Sequence, residues 1–204
     1  MKNVLKIQAS MFGADGQSSR LADHFIQRLR EDEGEVNVVT RDLAAEPVPM
    51  LTLERFQALM ARPDERSVAQ QAVVDLSDAL IAELQAADII VFAVPMYNFN
   101  IPAVLQHYFD HIARAHVTFR YTEAGSEGLI KGKQVALFVA RGGSYGDKHS
   151  QSAFLRQFLT LIGLDNARFY YAEGLALGDT AREQSLDAVR HEIATTPQPL
   201  MRAA

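Results

Sequence analysis

Residues 89–102 read IIVFAVPMYNFNIP, and the change of character inside that stretch decides the fold. Ile89 to Val94 is a continuous apolar run, the pattern of a parallel strand buried on both faces; a strand with one wet face would alternate. Pro95 and Pro102 bracket a turn, and Pro102 to Arg114 then reads as a helix with proline at its start. Downstream, Gln134 to Ala140 (QVALFVA) repeats the buried-strand pattern, and a helix over Ser152 to Ile162 ends at Gly163. A strand over Ala167 to Ala172 and a helix over Asp179 to Ala194, capped by Asp179 or Thr180, complete that half. Upstream, Val4 to Ala9 is a short strand, and Ser18 to Arg30 is a helix with Leu21, Phe25 and Leu29 on one face. Glu35 to Leu43 is a β-rich strand, and Val68 to Ala86 is a long helix with Val73, Leu76, Leu80 and Leu84 on a common stripe. Five strand–helix units in alternation imply an α/β doubly wound parallel sheet, because parallel strands need right-handed crossover connections.

Two segments break the alternation. Ala44 to Ser67, with Pro47, Pro49 and Pro63, is expected to hold a short helix over Glu54 to Met60. Thr118 to Lys133, rich in glycine and charge, is expected to form a flap beside a ligand site, and Thr195 to Ala204 a loose tail. At 204 residues with 48% hydrophobic content, one domain spanning residues 1–204 is expected. The 20 Lys and Arg residues against 25 Asp and Glu leave a formal charge of −5 with no basic block, which argues against nucleic acid as a partner. Without cysteine there is no disulfide, thiolate nucleophile or Cys-ligated metal, so redox chemistry would require a bound cofactor. The run from Met1 into VLKIQAS lacks a signal-peptide pattern, and IIVFAVP is too short to cross a bilayer; a cytoplasmic address without membrane insertion is expected.

In a sheet of this kind ligands sit at the carboxyl ends of the strands, so the loops after strands one, three and four should meet. The first runs from Ser10 to Ser19, SMFGADGQSS, where Gly13 and Gly16 allow a tight path and Ser18 precedes a helix whose free amides suit a phosphate. An ordinary N-cap accounts for Ser18 equally well, and Asp15 must face water if an anion binds. Neither GxGxxG nor GxxxxGK[ST] is present, so a terminal monophosphate fits better than a dinucleotide or triphosphate. In the second loop, Tyr97 and Phe99 suit a flat apolar ring, with Asn98 and the backbone of Met96 to Phe99 meeting its polar edge; packing under the next helix is the bland alternative. The third, ARGGSYG over Ala140 to Gly146, has Gly142 and Gly143 for close backbone approach and Arg141 and Tyr145 for polar reach, although a double glycine after a strand is usually a plain turn.

These stretches, together with RDLAAEPVP (41–49), LSDALIAEL (76–84), VTFRYTEAGSEGL (117–129) and FYYAEG (169–174), resemble the FMN-dependent NADH azoreductases, or NADH:quinone oxidoreductases. The resemblance covers nearly the whole chain, and PMYNFNIP combined with TFRYTE is its most specific part. It implies a flavodoxin-like fold with strand order 2-1-3-4-5 and a homodimer holding one FMN per subunit near the interface. It also implies reduction by NADH or NADPH and transfer to quinones or azo compounds. By the same resemblance, phosphate contact falls on Ser10, Gly16, Gln17 and Ser18; ring contact falls on Met96, Tyr97, Asn98 and Phe99, then Ala140, Arg141, Gly142 and Gly143. Phe119 and Tyr121 resemble acceptor-pocket residues. Relatives commonly carry Ser where Gly16 and Ala140 stand, which removes one or two hydroxyl contacts, and some carry His where Tyr145 stands, next to the pyrimidine edge. A Tyr145 hydroxyl can donate there and tune the potential but brings no positive charge.

Three rival readings are weaker. A flavodoxin-like electron carrier would be more acidic, and a flavin-free hydrolase would want a GxSxG elbow or a cysteine. A metal at His107, His111 and His116 lacks an acidic partner or an HExxH pattern.

Overall fold

The computed structural model describes residues 1–196. Parallel strands β1 (Lys2–Gln8), β2 (Val36–Asp42), β3 (Ile89–Pro95), β6 (Gln134–Ala140) and β7 (Arg168–Ala172) form one sheet in the order β2-β1-β3-β6-β7, which is 2-1-3-4-5 when its own strands are counted. The predicted strand order is therefore observed. Between β3 and β6 the chain inserts an antiparallel hairpin, β4 (Phe119–Thr122) with β5 (Gly125–Gly128). Helices α1 (Gln17–Glu33), α2 (Leu53–Met60), α3 (Val68–Ala86), α4 (Ala103–Ile112), α5 (Ser150–Ile162) and α6 (Asp179–Thr195) supply the remaining layers.

Alternate residues of each central strand enter opposite cores, which is why the runs look continuously apolar in sequence. On one face Val4, Val91, Ala93, Phe138 and Tyr170 meet Leu21, Phe25 and Leu29 of α1 and Leu186, Val189 and Ile193 of α6. Rings of Phe138 and Tyr170 stack there at 4.8 Å. On the other face Leu5, Ile7, Ile90, Phe92, Val94 and Leu137 meet Leu80 and Leu84 of α3, Leu105 and Phe109 of α4, and Leu155 and Leu159 of α5. Among the described residues no helix is long and apolar enough to cross a membrane.

Several local expectations are corrected. The buried stripe of α3 is Val74, Ser77, Leu80, Ile81 and Leu84, while Val73 and Leu76 are half-buried. The turn of the stripe follows Ser77, whose small side chain lets α4 approach and whose hydroxyl donates to the His111 carbonyl at 2.6 Å. Neither Asp179 nor Thr180 caps α6; Gly178 precedes the helix at φ 110°, and Asp179 pairs with Arg182 instead. Thr195 is the last residue of α6 and no part of a tail, and residues 197–204 lie outside the described residues. The short helix α2 is present, with Thr52 accepting the Arg55 amide at its start.

The hairpin is fastened to the far end of α5. Gly163 ends that helix at φ 98°, and the Ile130 amide donates to the Ile162 carbonyl at 2.9 Å. A Cβ on Gly163 would stand 2.6 Å from the Ile130 carbonyl oxygen. Gly163→Ala is therefore expected to cost roughly 1–3 kcal/mol in urea unfolding, through the left-handed backbone and the displaced hairpin. An unchanged midpoint would mean that the two segments are not held together there.

Candidate functional site

The registers Gln8 opposite Ala93, Pro95 opposite Ala140 and Ala140 opposite Ala172 bring the strand ends to one edge, so the three loops singled out in sequence do converge. In the first loop a short turn over Gly13–Asp15 leads to Gly16, which stands as the N-cap of α1 without any side-chain cap. Ser18 lies inside the helix, so it is not the cap that a sequence reading allows. Its hydroxyl and that of Ser19 are buried and have no hydrogen-bond partner among the described residues. The first amide of α1 to find a helical acceptor is Arg20, on Gly16, so those of Gln17, Ser18 and Ser19 have no acceptor among the described residues. No acidic residue stands in the first turn, and Asp15 faces water, paired with Arg20 at 2.9 Å, as expected. Orphan amides, two orphan hydroxyls and the positive helix end together suit a phosphate. Gly16 has a separate reason to lack a side chain: a Cβ would overlap Ser10.

In the second loop Tyr97 and Asn100 exchange both backbone hydrogen bonds at 3.0 Å, closing a two-residue turn. Its central residues Asn98 and Phe99 have φ 48° and 66°, the type I′ pattern. Asn tolerates this conformation, but a Phe there is strained by roughly 1–2 kcal/mol. Phe99 does not pack under α4; it is 63% exposed, edge-on to Tyr145 at 5.9 Å and near the His149 ring at 6.4 Å. The Tyr97 hydroxyl accepts the Met11 amide at 3.2 Å and lies 3.5 Å from Ser10 Oγ, tying this loop to the first.

The third loop departs from expectation at Arg141, whose side chain turns into the protein and gives no polar reach toward a ligand. Nε donates to Gln151 Oε1, Nη1 to Glu173 Oε1 and the Gly146 carbonyl, and Nη2 to Ser152 Oγ, at 3.0, 2.8, 2.9 and 2.6 Å. The guanidinium also lies 4.8 Å from the centre of the Tyr171 ring. Gln151 Nε2 reaches the Pro95 and Asn100 carbonyls at 3.3 and 3.4 Å, joining this loop to the second. Glu173 Oε1 also accepts the Tyr145 and Gly146 amides. Burial works against the Glu173 charge, yet the donors Arg141, Gly146 and Tyr145 outweigh it and hold the carboxyl below its ordinary range. Asp147 is lowered as well, by the Tyr171 hydroxyl and Arg156. Tyr145 folds back over Gly143, whose missing Cβ leaves room for the ring. Ala140 is buried, and its carbonyl accepts the Met96 amide at 2.8 Å.

One edge thus gathers Ser10, Gly16, Gln17, Ser18, Met96, Tyr97, Asn98, Phe99, Ala140, Arg141, Gly142, Gly143 and Tyr145. Phe119 and Tyr121 are elsewhere. Phe119 faces Leu51, Phe56, Leu59 and Met60 beyond the end of α4, and Tyr121 touches it edge-on while 76% exposed. The length of α4 or α5, about 15–20 Å, separates them from the loops, so the hairpin does not form a flap over this chain's own site. His111 is buried and bonded through Nε2 to the Pro49 carbonyl at 3.0 Å. Glu173, Gln151, Ser152 and His149 went unassigned in sequence; the sole signal was a charged residue directly after the last strand, in FYYAEG.

A sequence profile of the family described as "Flavodoxin-like fold" matches residues 2–196. An FMN-dependent NADH:quinone oxidoreductase of Cellvibrio japonicus is 48% identical over 195 residues, 95% of this chain and 97% of that protein. One of the same name from Bordetella avium is 46% identical, covering 93% and 95%. Among solved structures, an azoreductase from Bacillus anthracis superposes with a TM-score of 0.84 at 28% identity, covering 95% and 97%. An FMN-dependent NADH-azoreductase of that organism, in complex with FMN, does so with 0.82 at 25%, covering 95% and 98%.

Two outcomes follow from the strain and charge at this edge. Phe99→Gly, which makes the central turn pair Asn-Gly, is expected to stabilise the flavin-free protein by about 0.5–1 kcal/mol in urea unfolding; a loss of stability would show that the turn is not strained. Because the Glu173 and Asp147 pKa values are lowered by folding, their stabilisation is complete above the unfolded values and lost as pH falls through the folded ones. Hydrogen exchange at the Tyr145 and Gly146 amides, corrected for intrinsic rates, should therefore accelerate below about pH 4. Unchanged protection across the acid range would refute the role given to Glu173.

Proposed function

The chain belongs to the flavodoxin-like fold family, and from that premise we propose that it is an FMN-dependent oxidoreductase passing electrons from NADH or NADPH to quinones or aromatic azo compounds. The observation that carries this reading is the pairing, on one sheet edge, of an anion-ready helix start with the aromatic turn at Phe99. A molecule with a terminal phosphate at one end and a flat ring at the other fits both. The names of the Cellvibrio and Bordetella relatives support the same cofactor.

In this reading Ser10, Gly16, Gln17 and Ser18 hold the phosphate, through the α1 amides and the buried Ser18 hydroxyl. Met96, Tyr97, Asn98 and Phe99 carry one side of the ring, and Ala140, Gly142 and Gly143 approach its edge with main chain. Arg141 serves from behind the loop. Tyr145 donates near the pyrimidine edge and tunes the potential. Bound FMN would accept two electrons from a nicotinamide and pass them to an acceptor, once for a quinone and twice for full azo cleavage. The protein's part is to seat the ring, leave one face open to nicotinamide and acceptor in turn, and keep the reacting atoms in contact distance.

Phe119 and Tyr121 bear on assembly. Since each lies a helix length from its own loops, they can line an acceptor pocket only if a second copy brings its hairpin to this edge, and we assign the active form to a homodimer on that ground. A cytoplasmic setting, where nicotinamide cofactors are replenished, fits the whole, with residues 1–204 acting as one FMN-binding domain.

The test is the visible spectrum of protein reloaded with FMN and freed of excess. Flavin should be retained, bleach on anaerobic NADH or NADPH, and recover with a quinone, from a particle of twice the 22.6 kDa chain mass in light scattering. In Tyr145→Phe the midpoint potential should fall. Retained flavin inert to both nicotinamides would favour an electron carrier, and no retained flavin would overturn the proposal.

A further inference from the structure

Behind the third loop lies a piece of machinery that the ring contacts do not explain. The carbonyls of Arg141, Gly142 and Gly143 accept, in that order, the amides of Leu175, Ala176 and Gly174, at 3.1, 2.9 and 3.0 Å. In a trans peptide the N–H points away from the C=O of the same unit, so fixing these three carbonyls turns the amides of Gly142, Gly143 and Ser144 the other way. Among the described residues none of those three amides has an acceptor. The loop thus presents a row of donors on the face opposite the 174–176 strap.

Glu173 stands at the junction of strap and loop. It begins the strap, its own amide held by Ser185 Oγ at 2.9 Å. Its carboxylate holds the loop from below by accepting Arg141 Nη1 at 2.8 Å, the Tyr145 amide at 3.1 Å and the Gly146 amide at 3.0 Å. Arg141 in turn gives three more donors to Gln151, Ser152 and the Gly146 carbonyl, and Gln151 grips the turn that carries Phe99. A fully buried guanidinium is a poor way to gain stability alone, since apolar side chains of the same volume commonly do as well. What this pair provides is direction: it fixes where the amides point.

We infer that Glu173 is a positioning residue for the ring end of the site, holding the Gly142, Gly143 and Ser144 amides toward the electron-rich edge of a bound flavin through Arg141 and the loop backbone. This rests on the FMN reading above. Donors fixed there stabilise the negative charge that reduction puts on the ring, so they raise the flavin's potential as well as its affinity. Glu173→Gln keeps size but loses the charge that answers Arg141, and puts an NH2 where Oε2 now accepts the Gly146 amide at 3.1 Å.

The experiment measures, for wild type and Glu173→Gln, the dissociation constants of FMN and of riboflavin by fluorescence quenching, and the midpoint potential of the FMN-saturated protein. Riboflavin has the ring without the phosphate. The expected result is a loss of roughly tenfold for both flavins by the same factor. A further tenfold loss confined to the reduced form would lower the potential by about 30 mV for a two-electron couple. Ser18→Ala, at the phosphate end, should weaken FMN and leave riboflavin unchanged. If Glu173→Gln does not fold, Glu173→Asp, which retains the charge but withdraws it by one methylene, should show the same pattern in smaller measure. The inference is overturned if the substituted protein loses thermal stability but, once saturated, keeps both dissociation constants and the potential. It is overturned too if FMN alone weakens. Failure of the wild type to bind FMN would instead sink the functional reading, and the two failures are thereby told apart.

Discussion

A parallel strand can pair with its neighbour only after the chain has returned across the face of the sheet, and that constraint organises this molecule. The returning helices cover both faces, so the central strands must be apolar on both, as Ile89 to Val94 and Val135 to Ala140 are. Because every strand runs the same way, its carboxyl end meets those of its neighbours, and in-register pairing from Gln8 to Ala172 brings the following loops to one line. The site is in that sense a by-product of how the sheet closes.

Several residues at the ligand edge depart from local rules. Phe99 takes a backbone conformation suited to glycine, Ser18 and Ser19 bury hydroxyls without partners, and Arg141 is buried among polar groups where an apolar core would serve stability as well. Such departures persist when the surroundings over-determine them. Two of them have support within the chain: the exchanged Tyr97–Asn100 bonds hold the turn, and the Glu173 carboxylate answers the buried guanidinium.

Most of the architecture was legible in sequence because buried-strand runs and helical stripes are properties of single segments. What escaped depended on relations between segments. The stripe of α3 turns toward Ser77 because of a carbonyl thirty-four positions away, at His111, which no helical wheel contains. Ser18 reads as a cap by residue type, yet the cap falls two residues earlier, on Gly16, which lies against Ser10. Arg141 reads as a hand held out to a ligand; it points inward because Glu173, Gln151 and Ser152 offer acceptors behind it. Glu173 stands in FYYAEG, a stretch that carried the resemblance without giving this carboxylate a role. The hairpin residues Phe119 and Tyr121 carried a resemblance, but their separation from the loops is a matter of where α4 and α5 end.

The hydrogen-bonded path from Glu173 through Arg141 and Gln151 to the Pro95 and Asn100 carbonyls crosses from the last strand to the middle of the sheet. Loops tied together in this way cannot close over a guest one at a time. Their ordering entropy is settled when the chain folds, not when a ligand arrives, so little of the binding free energy is diverted to immobilising them. Arrival is then a matter of diffusion and orientation against a preorganised edge, and residence time is set by the contacts that must be broken on leaving.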